Sequence, residues 1–180
     1  MKMLQIAWVI VAVIAVACLW GCHGSTVAVE NGRGNGGDGE FNVPAYAGTW
    51  TGQWNNTTAQ STGSVDLDVA VDRDGQTATF ELDLGGPVLG VVLDPDPVTI
   101  NGTYDEDSLS VDDAAGIYGD INVEIDDNGN ITGQINPPAD HIDRVEIAGT
   151  VTETRIEINY TVYFSDGRIF DGTMELDKQT

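Results

Sequence analysis

The chain is poor in positive charge and in cysteine, and both shortages constrain what it can do. Lys and Arg number 7 against 29 Asp and Glu, a formal net charge of −22. A surface this acidic repels phosphate backbones, which excludes nucleic acid as a partner. There are 2 cysteines and 2 histidines in 180 residues. Cys18 and Cys22 both lie near the amino terminus, so residues 46–180 hold no disulfide and no thiolate nucleophile. Zinc is excluded for want of His and Cys ligands. No G-x-S-x-G elbow occurs, and His141, in Pro137-Pro138-Ala139-Asp140-His141, reads as an exposed loop residue rather than a catalytic base. Carboxylates abound, yet no pair stands out as an acid/base couple. The chain is read as non-enzymatic.

Long apolar runs are scarce too. The stretch Ile6 to Trp20 is uncharged and follows Lys2. It is shorter than the about 20 residues needed to span a bilayer. A positive start, a short apolar segment and a small residue before a processing point make an export signal, not part of the fold. Leu19-Trp20-Gly21-Cys22 closes the segment. This tetrad resembles the lipobox of bacterial lipoproteins, with Leu three before the cysteine and a small residue directly before it.

The resemblance implies that residues 1–21 are a signal peptide. It also implies that Cys22 is fatty-acylated on sulfur and becomes the first residue of a membrane-anchored protein. Two or three acyl chains on one cysteine suffice for stable attachment, where a single chain would not. Cys18, preceded by Ala15-Val16-Ala17, is the competing lipidation site, with a poorer residue three positions before it. His23 follows Cys22 where an Asp would favour inner-membrane retention. The family rule therefore points to the outer membrane of the cell envelope if the host is Gram-negative. Loss of Lys2 with the signal takes the net charge from −22 to −23.

Residues 22–45 read as a tether. Gly32, Gly34, Asn35, Gly36, Gly37 and Gly39 offer a helix or strand nothing to pack with. A flexible coil of this length reaches about 25 Å.

From residue 46 onward the hydrophobic pattern has period two. Val65, Leu67, Val69 and Val71 alternate with Asp66, Asp68, Ala70 and Asp72, and Phe80, Leu82 and Leu84 alternate with Glu81 and Asp83. The same holds around Ile121, Val123 and Ile125, around Val145, Ile147 and Val151, and along Ile156 to Phe164. One apolar and one acidic face per segment predicts half-buried antiparallel strands. Asp74-Gly75, Asn128-Gly129 and Asp166-Gly167 each separate two such runs. They predict hairpins pairing 64–72 with 77–84, 117–126 with 131–136, and 155–164 with 168–176. About ten strands with one apolar face each must close into a barrel or pack as two sheets. Successive hairpins, and glycines 102, 119, 133, 149 and 172 within the strand patterns, favour an all-β, antiparallel up-and-down barrel of about 8–10 strands. A β-sandwich is the alternative. Gly48-Thr49-Trp50 at the first strand is similar to the Gly-x-Trp start of lipocalin- and avidin-like barrels.

A barrel of this size is either packed solid or hollow enough for one small ligand. If hollow, Trp50, Phe80, Tyr104 and Tyr160 are the candidate lining. Gly85 to Leu93 is apolar without strict alternation, and reads as a core strand or a lid over the barrel mouth. No cofactor is expected. Calcium could be shared by Asp94 and Asp96 with Asp105 and Asp107, whereas Asp72 to Gly75 and Asp126 to Asn130 fit hairpin turns better than calcium loops. Two functions follow: binding of a small hydrophobic or amphipathic ligand, or a structural or adhesion module binding an envelope protein or glycan.

Overall fold

A computed structural model describes residues 41–86, 95–114, 119–137 and 141–180. Within them lie ten strands: β1 (Gly48–Asn56), β2 (Ser61–Asp72), β3 (Thr77–Leu84), β4 (Val98–Tyr104), β5 (Ser108–Ala114), β6 (Asp120–Asp126), β7 (Asn130–Asn136), β8 (Ile142–Val151), β9 (Arg155–Phe164) and β10 (Ile169–Lys178). Every strand pairs antiparallel with its sequence neighbour, and β1 pairs with both β2 and β10. The sheet closes on itself. It is the up-and-down barrel, not the sandwich.

The period-two pattern sets the two faces. Along β9, Ile156, Ile158, Tyr160, Val162 and Phe164 are buried while Glu157 and Asn159 are exposed. On β6, Ile121, Val123 and Ile125 point inward between Asp120, Asn122 and Glu124. Closure gives each apolar face a partner and leaves no open sheet edge.

Antiparallel alternation sorts the connections between two ends. One end carries the start of β1, the hairpins at 73–76, 105–107, 127–129 and 152–154, and the chain's last strand residue, Lys178. Val43–Tyr46 forms a 3-10 turn leading into β1 at that same end. The other end carries 57–60, 165–168, the last residues of β3, β5 and β7 and the first residues of β4, β6 and β8.

Three details differ from the sequence reading. The folded part starts before residue 46, because Val43 is fully buried and Phe41 packs on the core. The Asp-Gly and Asn-Gly hairpins are longer than two-residue turns. At 127–129, Gly129 takes the left-handed conformation at φ 76°; at 73–76 that role falls to Gln76, at φ 49°, and not to Gly75. Lastly, β8 carries a bulge between Ile142 and Arg144 that no sequence signal marked. The signal segment with Cys18, the tether from Cys22 apart from its last residues, and most of the Gly85–Leu93 stretch lie outside the described residues.

Candidate functional site: an internal apolar cavity

The barrel is not packed solid. Among its inward side chains lies a cavity of about 90 Å³ open to the centre of a water-sized sphere. One water needs roughly 10–15 Å³ on this measure, so the space is several waters large. Leu67, Val69, Phe80, Leu82, Ile100 and Val123 form one side, and Ile131, Ile156, Ile158, Met174 and Leu176 the other. The lining side chains are apolar except for the Tyr46 hydroxyl and the Trp50 indole nitrogen. Such a space disfavours water and favours hydrocarbon.

Trp50 closes the lower end. It is fully buried, and its Nε1 donates to the carbonyl of Tyr46 at 2.9 Å. Lys178 Nζ lies 5.4 Å from the Trp50 ring centre and donates to the Ala45 carbonyl at 2.6 Å. A cation over an indole is attracted by the ring's electron-rich face. The 3-10 turn, the first strand and the last strand are thus fastened at one point. The Tyr46 hydroxyl is held above its ordinary acidity range first by burial and then by the negative charges of Glu153 and Asp126.

One inward step beyond the cavity the character changes. In the strand register Met174 stands opposite Trp54 and Ile158, and both Met174 and Ile158 line the cavity. Two residues on, Gly172 stands opposite Asn56 and Tyr160, and Asn56 opposite Ser61. Asn56 is fully buried and Ser61 is 8% exposed. Asn56 Oδ1 accepts from the Ala59 amide at 2.6 Å, but Asn56 Nδ2 and Ser61 Oγ have no hydrogen-bond partner among the described residues. An unpaired buried polar group costs about 1–3 kcal/mol. The Tyr160 ring lies directly over Gly172, where any Cβ would collide with its Cζ and hydroxyl. Burial pushes the Tyr160 phenol up to about 12, opposed by the neighbouring Asn56 side chain.

The sequence-derived candidates fare unequally. Trp50 and Phe80 line the cavity. Tyr104 does not: it lies at the Trp50 end, where its hydroxyl donates to the Asp72 carbonyl at 3.3 Å. Tyr160 faces inward but belongs to the polar layer. Asp94 lies outside the described residues. Asp96 precedes β4 and Asp105 and Asp107 follow it, so seven strand residues, about 23 Å, separate the two groups. Asp105 Oδ1 accepts from the amides of Asp107 and Ser108 at 2.9 and 2.8 Å, and these bonds hold its carboxyl below the usual range. Among the described residues no group of three or more acid, His or Cys side chains is gathered for a cation. His141 is exposed and stacks on Phe164 at 6.5 Å.

The sequence reading missed Met174, Asn56 and Ser61. Asn56 shares the inward parity of Trp50 and Trp54, and a polar residue in that register was the available signal.

Fold and cavity together define a class: a closed ten-stranded antiparallel barrel around an apolar internal space. No family model matches the sequence, and no curated protein is significantly similar to it. Among solved structures, the chain is similar to Rv2717c from M. tuberculosis, with a TM-score of 0.55 at 8% identity over 76% of this chain and 94% of that one. A protein of unknown function from the DUF3598 family of Nostoc punctiforme gives 0.49 at 13% identity, over 78% of this chain and 50% of that one. The S-type phycobiliprotein lyase CPES from Guillardia theta gives 0.46 at 10% identity, over 76% and 89%. At 8% identity, the likeness to Rv2717c is one of fold.

Proposed function

We propose that this chain is an exported, lipid-anchored envelope protein whose barrel binds a small hydrophobic or amphipathic molecule without transforming it. The cavity carries the binding half of the reading: its wall is hydrocarbon, and its size suits a ligand of a few heavy atoms or the end of a longer alkyl chain. The pairing of a buried apolar wall with an acidic exterior supports an uncharged ligand over an anion. Among the described residues no nucleophile–base pair lines the space, which supports a binding role over a catalytic one.

Met174 reports on occupancy. The other methionines of the sequence are Met1 and Met3, both in the signal segment. With methyl-labelled methionine in the full chain, n-hexane is expected to shift the Met174 resonance saturably. Val123→Phe places a ring in the cavity and is expected to abolish that shift while the barrel still unfolds cooperatively. A Met174 signal that ignores hexane in the parent protein sinks the binding reading.

The anchor rests on Leu19-Trp20-Gly21-Cys22. Cys22→Ser is expected to leave the chain unprocessed or released from membranes, whereas Cys18→Ser leaves it anchored. The reverse pattern would move the lipid to Cys18.

A further inference from the structure

The polar layer above the cavity has no role in holding the barrel together that accounts for its two idle groups. Asn56 uses its oxygen on the β1–β2 turn, through the Ala59 amide; its Nδ2 faces the Tyr160 phenol without a well-formed hydrogen bond, and the Ser61 hydroxyl opposite has no partner among the described residues. Neither atom is open to water, so solvent does not satisfy them in this state. Strand register places them on the inward layer next to Met174 and Ile158, which line the apolar space. Met174 stands between the two regions. An unbranched thioether side chain repacks readily, so it is the natural element to move aside when the space below is filled. Gly172, which gives the Tyr160 ring room to lie flat, keeps this layer free of a further inward side chain.

We infer that Asn56 Nδ2 and Ser61 Oγ are a hydrogen-bonding station for the polar head of the ligand, an uncharged carbonyl group whose hydrocarbon part occupies the cavity below. The head must accept, because the amide nitrogen can only donate and the hydroxyl can donate as well. It must be neutral, because none of the described lining residues is cationic. The described basic side chains of the barrel lie elsewhere: Lys178 and the exposed Arg73 at the Trp50 end, Arg144 with Glu146 at 2.7 Å, Arg155 with Glu157, Glu175 and Asp177, and Arg168 with Asp166 at 2.8 Å. A carboxylate head would be buried without a countercharge. Ketones, esters and amides fit; fatty-acid anions do not. The inference rests on the binding function proposed above.

The test compares n-hexane with 2-hexanone, labelled with ¹³C at its carbonyl, on the full chain. Met174 shifts give affinities, and the infrared carbonyl band reports the hydrogen bond directly. Ser61→Ala removes the hydroxyl with little change of volume. Asn56→Ala deletes the donor together with the oxygen that serves the Ala59 amide, and its hexane affinity shows that the cavity is kept. The expected result is a bound carbonyl band displaced to lower wavenumber relative to the ketone in hexane, and a three- to tenfold weaker affinity for 2-hexanone in Ser61→Ala, with hexane affinity unchanged. If hexane binds but the carbonyl band is undisplaced and both variants hold the ketone as tightly as the parent, the polar station is wrong and the cavity function stands. If hexane does not bind at all, the cavity function falls, and the station with it.

Discussion

At the scale of single residues, Trp50 is the most heavily committed side chain in the barrel. It is fully buried, donates to Tyr46, lies under Lys178 and forms part of the cavity wall. Trp50→Ala is expected to cost about 3–5 kcal/mol in urea unfolding, the usual range for removing a large aromatic core residue. The same variant is expected to lose the hexane-dependent Met174 shift. A loss below 1 kcal/mol would show that the lower end is held by something else. Gln76 offers the opposite sign. It holds a left-handed backbone at φ 49°, which favours glycine over residues with a Cβ. Gln76→Gly is expected to raise stability by about 0.5–1 kcal/mol, net of the extra freedom glycine gives the unfolded chain. A lowered melting temperature would show instead that the Gln side chain is needed there. Trp50 was legible because a large aromatic opens an alternating strand. Gln76 was not, because the Asp-Gly pair beside it pointed to a tighter turn than the one that forms.

Among elements, the hairpins and their partners were legible from alternation and turn residues, and the three sequence-derived pairings appear as β2–β3, β6–β7 and β9–β10. The seam between β4 and β5 was not. Their ladder is limited to Thr103 with Ser110 and Tyr104 with Leu109. Beyond it the carboxylate of Asp113 takes the place of a strand carbonyl, accepting from the Asn101 amide at 2.8 Å and from its side-chain nitrogen at 3.2 Å. Alternation cannot report this, since it describes which face a residue takes and not whether the neighbouring ladder continues. The Asn101 amide bond is the main cause holding the Asp113 carboxyl below its ordinary value of 3.8. A depressed carboxyl contributes stability above its unfolded value and loses it as pH falls through the folded one. Protection of the Asn101 amide from hydrogen exchange is therefore expected to be constant above about pH 4 and to fall below it. Asp113→Ala should show low protection at every pH. Equal protection in variant and parent would mean that the seam is held by other contacts.

Charge is organised unevenly over the whole molecule. On the outer face of β9 and β10, Arg155 reaches Glu157, Glu175 and Asp177 at 2.6, 2.8 and 3.0 Å. Across β2 and β3, by contrast, Asp66 stands opposite Asp83 and Asp68 opposite Glu81, with like charges directly paired. Such pairs destabilise a sheet. Asp83→Lys is expected to stabilise the barrel by about 0.5 kcal/mol. Raising NaCl from about 0.02 M to about 1 M shortens the screening length to about 3 Å and is expected to raise the melting temperature of the parent by more than that of the variant. Identical salt responses would assign the self-repulsion to another face. The net charge was plain in the sequence; which acids oppose each other depended on the register of the β2–β3 hairpin, set by a four-residue 73–76 connection longer than the Asp-Gly pair pointed to. Whether the barrel is hollow was equally hidden, because aliphatic residues on an inward face fill a core or line a cavity with the same alternation. That hollow is the centre of the account, and saturable occupancy by a neutral ligand tests it most directly. Titrating n-hexane into the full chain while following the Met174 methyl resonance should give one saturating transition in the parent and none in Val123→Phe. A linear response without saturation, or one that survives Val123→Phe, would contradict it.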